Sequence, residues 1–230
     1  MKVAYLSVEY VASGPGHLDR LPCYIRLLQQ GAKQIKHVLI HWQHRMVSPL
    51  TEISRLTTDL IDAHGIPSET AFAMVRSELS PDTVLVGVNM KRHVHALQLC
   101  KNVHYLSYID LTSMLKLKHA NRWHFLPLAT MATVLGMKPT GTAPPDELEM
   151  VRFLHSKCAS SQSHMEAIRQ LTAHITSQPR PAHDDASHVY RIDGVCTSAY
   201  NAQRCSCNQM SLNPHPSNQR RPTKAITADP

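Results

Sequence analysis

The chain has 230 residues, 43% of them hydrophobic, which is enough to bury one core of ordinary domain size. Lysine and arginine outnumber aspartate and glutamate by 24 to 17, and sixteen histidines add positive charge below neutral pH. This balance favours polyanionic partners, nucleic acid before an anionic membrane. The sequence has no apolar run of the roughly 18–20 residues that a membrane span needs and no cysteine spacing of a small secreted domain, so we expect an intracellular protein, cytoplasmic or nuclear.

The first fifth of the chain predicts three strands. Residues 2–10 alternate apolar and polar side chains like a central strand, and the Ser-Gly-Pro-Gly run at 13–16 ends it. Residues 23–28 and 36–42 are two further candidates. Three strands followed by alternating helices and strands predict a mixed sheet with helices on its faces.

The middle of the chain carries the most informative stretch, DTVLVGVNMKRHVHALQL at 82–99. Residues 83–87 are typical of a buried strand, and Gly87 allows the backbone to turn. A polar cluster follows at 89–93, and the spacing of Val94, Leu97 and Leu99 predicts an amphipathic helix. Ligands of open α/β sheets bind at the carboxyl ends of strands, so this cluster is a candidate site.

The remaining elements are predominantly helical. We predict helices at 68–79, capped by Ser68, at 111–117, capped by Asp110, at 124–135 and at 163–175, with a further helix opened by the prolines at 144–145. A strand at 103–109 precedes Asp110. From residue 177 the composition turns to proline, serine, asparagine, glutamine and arginine, which predicts a flexible basic tail over 177–230.

The run LVGVNMKRHVHAL resembles the second motif of the DEDD (DnaQ-like) 3′–5′ exonucleases, LVGHNxxxDxxxL. The flanking SPDTVLVG and YIDLTSMLK are most similar to the RNA-exonuclease branch that includes the interferon-induced ribonucleases. The resemblance covers about residues 3–155. It implies an α/β ribonuclease-H-like exonuclease fold, with a mixed central sheet flanked by helices, over residues 1–176, followed by a disordered C-terminal tail.

The resemblance also implies a site, but most of its catalytic residues are replaced. Such enzymes bind two divalent metal ions through four carboxylates, and a histidine serves one branch as general base. The first motif, Asp-x-Glu, falls on Ser7 and Glu9, so one carboxylate is kept. The second-motif aspartate falls on His93, and the histidine expected after Gly87 is Val88.

The third motif, a histidine followed five residues later by an aspartate, falls on Thr142 and Glu147. A shift of one residue would select Asp146 instead. Glu9, His93 and Glu147 are therefore the remnant catalytic positions, with Ser7 and Thr142 substituted. Glu9 and Glu147 are the candidate metal ligands. The remnant could hold one manganese or zinc ion, but we favour relics in the cleft of a pseudoenzyme, because metal sites tolerate few ligand losses.

The favoured function is nucleic-acid binding by a catalytically impaired exonuclease-like domain, with single-stranded RNA as the expected partner. Asn89, Lys91 and Arg92 are the candidate phosphate contacts, although a short charged run can also be a solvated helix face. We expect no cofactor, or magnesium or manganese if the domain is active. The alternatives are an active metal-dependent exonuclease with a rearranged ligand set and a protein-binding scaffold.

The predicted tail contains one more candidate group. Cys196, Cys205, Cys207 and His215 could surround zinc, but structural zinc sites usually space their ligands differently. An unstructured, thiol-bearing tail is the favoured interpretation.

Overall fold

The computed structural model describes residues 1–42, 45–119, 122–138, 146–177, 191–197 and 207. Six strands form its central sheet: β1 (Lys2–Ala12), β2 (Arg20–Gln29), β3 (Lys36–His41), β4 (Ile66–Pro67), β5 (Thr83–Gly87) and β6 (Ser107–Asp110). Their order across the sheet is β4-β3-β2-β1-β5-β6. β1, β2 and β3 pair antiparallel, whereas β1, β5 and β6 pair parallel, as do β3 and β4. The predicted mixed sheet is confirmed.

Strand β1 lies at the centre of the sheet and is buried on both faces. Leu6 and Val8 enter a core formed with two helices, α3 (Ser68–Ser77) and α4 (Met90–Ala96). Tyr5 points to the opposite core, where α7 (Glu147–Lys157) packs. Because side chains alternate along a strand, Ser7 and Glu9 belong to the Tyr5 face.

The other helices flank this arrangement. Two short ones, α1 (Thr51–Ser54) and α2 (Thr58–His64), connect β3 to β4. The α7 face is completed by α5 (Leu111–Met114), α6 (Leu128–Val134) and α8 (Ser161–Ser177). A two-stranded ribbon, β7 (Leu117–His119) and β8 (Arg122–His124), joins α5 to α6. None of the helices in the described residues is long and apolar enough to cross a membrane.

Several predicted boundaries are wrong for identifiable reasons. The helix predicted at 111–117 ends at Met114, because Leu117 begins the ribbon. The helix predicted at 124–135 begins only at Leu128, after Pro127, whose fixed φ suits a helix start. Pro67, not Ser68, is the N-cap of α3 and provides no side-chain hydrogen bond.

Part of the predicted tail packs on the domain. A short hairpin, β9 (Arg191–Ile192) and β10 (Val195–Cys196), buries Val195 beside Ala12 and Leu50. The Ser48 hydroxyl donates a hydrogen bond to Asp193 at 2.6 Å. Contacts with the domain therefore continue beyond residue 176. Of the predicted tail, residues 178–190, 198–206 and 208–230 lie outside the described residues.

The burial of β1 predicts where the fold is most sensitive to truncation. Leu6→Ala should lower the free energy of unfolding by about 2–5 kcal/mol, because it removes a side chain with 0% exposure from the central strand. Leu18→Ala is the matched control, because its side chain is 82% exposed, and it should change stability by less than about 0.5 kcal/mol. Urea unfolding followed by circular dichroism measures both. Equal losses in the two variants would contradict the assigned core.

Candidate functional site

A buried arginine lies where the two N-terminal strands cross the centre of the sheet. The antiparallel register of β1 and β2 puts Arg26 directly opposite Ser7. Side chains of opposite residues point to the same face of the sheet and are close enough to contact each other. Arg26 is only 8% exposed, and its Nη2 donates a hydrogen bond to the Ser7 hydroxyl at 3.0 Å. Its Nε is buried without a hydrogen-bond partner among the described residues.

Three carboxylates converge on the same guanidinium. Nη2 lies 3.1 Å from Glu9 Oε1 and 2.6 Å from Glu147 Oε2, and Nη1 lies 2.8 Å from Asp146 Oδ2. Asp146 also caps α7 by accepting the Leu148 N–H at 2.8 Å, which fixes the start of the helix beside β1 and β2. We call Ser7, Glu9, Arg26, Asp146 and Glu147 the arginine–carboxylate cluster.

The cluster contains more acidic than basic groups: three carboxylates surround one guanidinium. Burial opposes the charged form of Arg26, but Glu147, Asp146 and Glu9 outweigh it and raise its pKa, so the guanidinium stays charged. Burial raises the pKa of Glu9 to about 7, helped by the charge of Glu147 and a hydrogen bond to it, while Arg26 and Arg55 act in the opposite direction. Near neutral pH, Glu9 is therefore the member that takes up a proton.

The predicted remnant residues are brought together only in part. Glu9 and Glu147 meet through Arg26, and Asp146, the alternative that the third-motif alignment left open, reaches the same guanidinium. Both alignments therefore select a residue of the cluster. Thr142 lies outside the described residues.

His93 has a different hydrogen-bond partner, on strand β1. It is 4% exposed on α4, and its Nδ1 shares a hydrogen bond of 2.9 Å with the Tyr10 hydroxyl. Within the described part of the chain, no hydrogen bond or ion pair joins His93 to Glu9 or Glu147. Burial, aided by the charge of Arg92, lowers the pKa of His93 to about 4, so this histidine is neutral at physiological pH.

The polar turn after β5 is held by one carboxylate. Asp110 at the end of β6 accepts hydrogen bonds from the backbone N–H groups of Asn89 at 3.1 Å and Met90 at 2.9 Å. It also accepts the N–H of Thr112 at 3.0 Å and so caps α5, which confirms the predicted capping role. Asn89 has a φ of 54°, a left-handed conformation that asparagine tolerates better than most residues.

An open groove of about 500 Å³ runs beside this turn. Its wall is mostly basic and combines the turn with the β1–β2 loop: His17, Leu18, Asn89, Lys91, Arg92, His95 and Asp110. We call it the basic groove. Lys91 is exposed, and the Arg92 guanidinium lies 4.0 Å from the centre of the Tyr10 ring. The three candidate phosphate contacts, Asn89, Lys91 and Arg92, thus line one surface.

Sequence reasoning missed Arg26, Tyr10 and His17. Arg26 did leave a signal, because it is a charge in the interior of the largely apolar strand RLPCYIRLLQ, and an unpaired charge there would be costly. Its partners could not be read from that signal. They depend on the strand register and on where α7 begins, more than a hundred residues further along the chain.

Comparison with solved structures places this fold among the exonucleases. The chain is similar to the Saccharomyces cerevisiae Pan2 pseudoubiquitin hydrolase–RNA exonuclease module, determined with AAGGAA RNA, with a TM-score of 0.55 and 12% identity over 77% of this chain and 33% of that one. It is also similar to exonuclease I from Methylocaldum szegediense, with a TM-score of 0.54 and 10% identity over 76% of this chain and 45% of that one.

The likeness is confined to structure and to part of each neighbour. No protein-family profile and no curated protein sequence matches the chain. The chain spans about a third of the length of the Pan2 module and just under half of exonuclease I. At this level of identity the comparison establishes the fold: an α/β ribonuclease-H-like exonuclease fold with a mixed central sheet flanked by helices.

The raised pKa of Glu9 predicts a pH-dependent effect of removing its charge. A carboxyl with a pKa higher in the folded than in the unfolded state contributes stability at low pH and loses it as pH rises, here between about 4.5 and 7. Glu9→Gln, which mimics the protonated form, should match the original protein near pH 4.5. Above pH 7 it should be more stable by on the order of 1–3 kcal/mol.

Chemical unfolding across this pH range measures the difference between variant and original protein. Glu52→Gln, on the exposed helix α1, is the matched control and should give a small, pH-independent difference. A Glu9→Gln variant that is less stable than the original protein at pH 8 would show that the attraction of Arg26 outweighs burial and Glu147.

Proposed function

We propose that this domain binds single-stranded nucleic acid, RNA before DNA, and does not hydrolyse it. The observation that carries the proposal is the Arg26 guanidinium, hydrogen-bonded to Glu9, Asp146 and Glu147 at 2.6–3.1 Å. In exonucleases that use metal ions, carboxylates in this part of the fold must be available as ligands.

The residues present do not fit a two-metal site. Hard divalent cations need oxygen ligands, and two ions need several carboxylates. Here the oxygens of Glu9, Asp146 and Glu147 already accept from one guanidinium, and the hydroxyl of Ser7 stands where the resemblance expects a carboxylate. An arginine cannot be deprotonated in a protein, so the cation that holds these acids is permanent.

The same cluster is a poor place for a phosphate to bind. One guanidinium supplies a single positive charge against three acids, and even with Glu9 protonated two carboxylates remain. The net charge of the cluster is therefore negative in both protonation states of Glu9. A negative cluster repels a polyanion that lies directly above it.

The basic groove offers the complementary surface. Lys91 and Arg92 present cationic donors of the kind that provide sequence-independent affinity for phosphates. His93 stands where the resemblance expects an aspartate, and as a buried neutral imidazole it removes a charge that would repel the strand. Arg92 stacks on Tyr10, so its planar group is held at the groove in an orientation that suits stacking against a base.

The choice of RNA rests on two supports. The solved Pan2 module was determined with an RNA oligonucleotide bound, and the sequence around β5 and α5 resembles the RNA-exonuclease branch. Neither support distinguishes bases, so the proposed recognition is of a single-stranded backbone with stacked bases rather than of a sequence.

Removal of the groove charges should weaken binding in a salt-dependent manner. Lys91→Ala combined with Arg92→Ala should reduce the affinity for labelled single-stranded RNA and flatten the plot of log K against log salt by about 0.7–1.4. The matched control is Lys157→Ala with Arg169→Ala, which removes the same charge from exposed positions on α7 and α8 and should leave the slope nearly unchanged. Fluorescence anisotropy at several salt concentrations measures both.

Two results would count against the binding proposal. An affinity lost equally in the groove variant and in the control would indicate attraction by overall charge alone. If the original protein fails to bind at low salt, the groove has no role in nucleic-acid binding, and the protein-scaffold alternative takes its place.

Hydrolysis should be absent in the original protein. Incubation with single-stranded RNA and either Mg²⁺ or Mn²⁺ should leave the 3′ end intact, because a negative charge developing on the phosphate would meet no pair of metal ions. A variant with Ser7→Asp, Arg26→Gln and His93→Asp should gain Mn²⁺ affinity, measured by calorimetry, even if it gains no activity. If the original protein degrades the RNA and Glu9→Gln abolishes this, the domain is an active nuclease.

A further inference from the structure

A second cluster of potential ligands lies away from the arginine–carboxylate cluster, between the β1–β2 loop and the C-terminal hairpin. One ligand atom each from His17, Cys196 and Cys207 lies within 4.8 Å of the other two. The His17 Nδ1 and the Cys207 Sγ are 3.2 Å apart, and the His17 backbone N–H donates to the same sulfur at 3.4 Å. Residues nearly two hundred positions apart thus present one imidazole nitrogen and two thiols to one point.

We propose that His17, Cys196 and Cys207 bind a structural zinc ion that fastens the C-terminal segment to the β1–β2 loop. One imidazole with two thiolates is a donor set that favours zinc over the hard cations magnesium and calcium. Three protein ligands leave a fourth tetrahedral position for water or a further side chain.

The spacing of the ligand atoms agrees with a tetrahedral site. With zinc–sulfur bonds of about 2.3 Å and zinc–nitrogen bonds of about 2.0–2.1 Å, tetrahedral angles put nitrogen and sulfur about 3.6 Å apart and two sulfurs about 3.8 Å apart. The observed 3.2 Å between His17 and Cys207 requires an adjustment of a few tenths of an ångström, which a side-chain rotation can supply.

The backbone holds two of the ligands in place before any metal binds. The Cys196 N–H donates to the Pro15 carbonyl at 2.8 Å, and Arg20 Nη2 donates to the Cys196 carbonyl at 2.7 Å. The loop that carries His17 is closed by the Gly16 N–H donating to Asp19 at 2.8 Å. Cys196 has 0% exposure, so its thiol is shielded from solvent.

The charge of the proposed complex suits its surroundings. The Arg20 guanidinium lies beside the site, where its Nη2 donates a hydrogen bond to the Cys196 carbonyl at 2.7 Å. Zinc with two thiolates is electrically neutral, so the ion itself would not add to the positive charge around Arg20.

The competing interpretation is a redox pair, in which Cys196 and Cys207 form a disulfide. A disulfide would use only the two sulfurs, whereas the structure brings the His17 Nδ1 to 3.2 Å from the Cys207 Sγ and within 4.8 Å of both thiols. The histidine beside both sulfurs favours a metal. It also connects the site to the basic groove, because His17 lines that groove as well.

The test uses the full chain, expressed in zinc-containing medium and purified without chelator under reducing conditions. Elemental mass spectrometry should find about one zinc per chain in the original protein. His17→Ala and Cys207→Ser should each lower this content about tenfold or more. These two positions are chosen because Cys196 is fully buried, so its substitution would also disturb packing. Cys100→Ser is the matched control, because Cys100 is exposed and distant from the cluster, and it should keep its zinc.

A second measurement separates zinc from a disulfide. A strong chelator should lower the melting temperature of the original protein and added zinc should restore it, whereas the His17→Ala variant should not respond to either. Cobalt substitution should produce sulfur-to-cobalt absorption bands that are lost in Cys207→Ser. The proposal is overturned if folded, reduced protein contains no zinc, if both variants keep their zinc, or if peptide mapping finds Cys196 linked to Cys207.

Discussion

The contact between Arg26 and its three carboxylates is the constraint on which the junction of β1, β2 and α7 depends. Breaking a buried ion pair by removing one partner costs about 3–5 kcal/mol, because the remaining charge stays buried and unpaired. Loss of Arg26 would leave Glu9, Asp146 and Glu147 facing one another, and loss of the acids would leave a buried guanidinium. Arg26 and the acids therefore depend on one another, although the acids outnumber the cation and Glu9 alone can lose its charge. The carboxylate oxygens that accept hydrogen bonds from Arg26 are the atoms that a metal-dependent nuclease would need as metal ligands.

Acidic and basic side chains occupy different places in this fold: the acids belong to the arginine–carboxylate cluster and the cations to the basic groove. The acids are held by Arg26, a cation built into the chain, whereas Lys91 and Arg92 of α4 line the groove. The hydrogen bond between His93 and Tyr10 joins α4 to β1 without adding charge. The proposed binding without hydrolysis depends on this combination: cations that line the groove and acids whose oxygens are occupied by Arg26.

The fold could be predicted from the sequence because its determinants are local. The apolar run at 83–87, the turn at Gly87 and the helical spacing that follows lie within one short stretch. The site could be predicted only in part. Glu9 and Glu147 were identified by their place in motifs, but Arg26 belongs to no motif, and its role depends on pairing across β1 and β2. The position of Cys196 beside His17 depends in the same way on how the short hairpin at 191–196 packs against the β1–β2 loop.

The hydrogen bonds of Asp110 affect the conformational entropy that is lost when a ligand binds in the basic groove. Its carboxylate holds the first turns of both α4 and α5 and keeps Asn89 in a left-handed conformation that would otherwise be unfavourable. The backbone that carries Lys91 and Arg92 is therefore already in one arrangement when the groove is empty. Only the outer parts of those side chains have freedom to lose, so association should carry a small conformational entropy cost and proceed close to a rigid-body encounter.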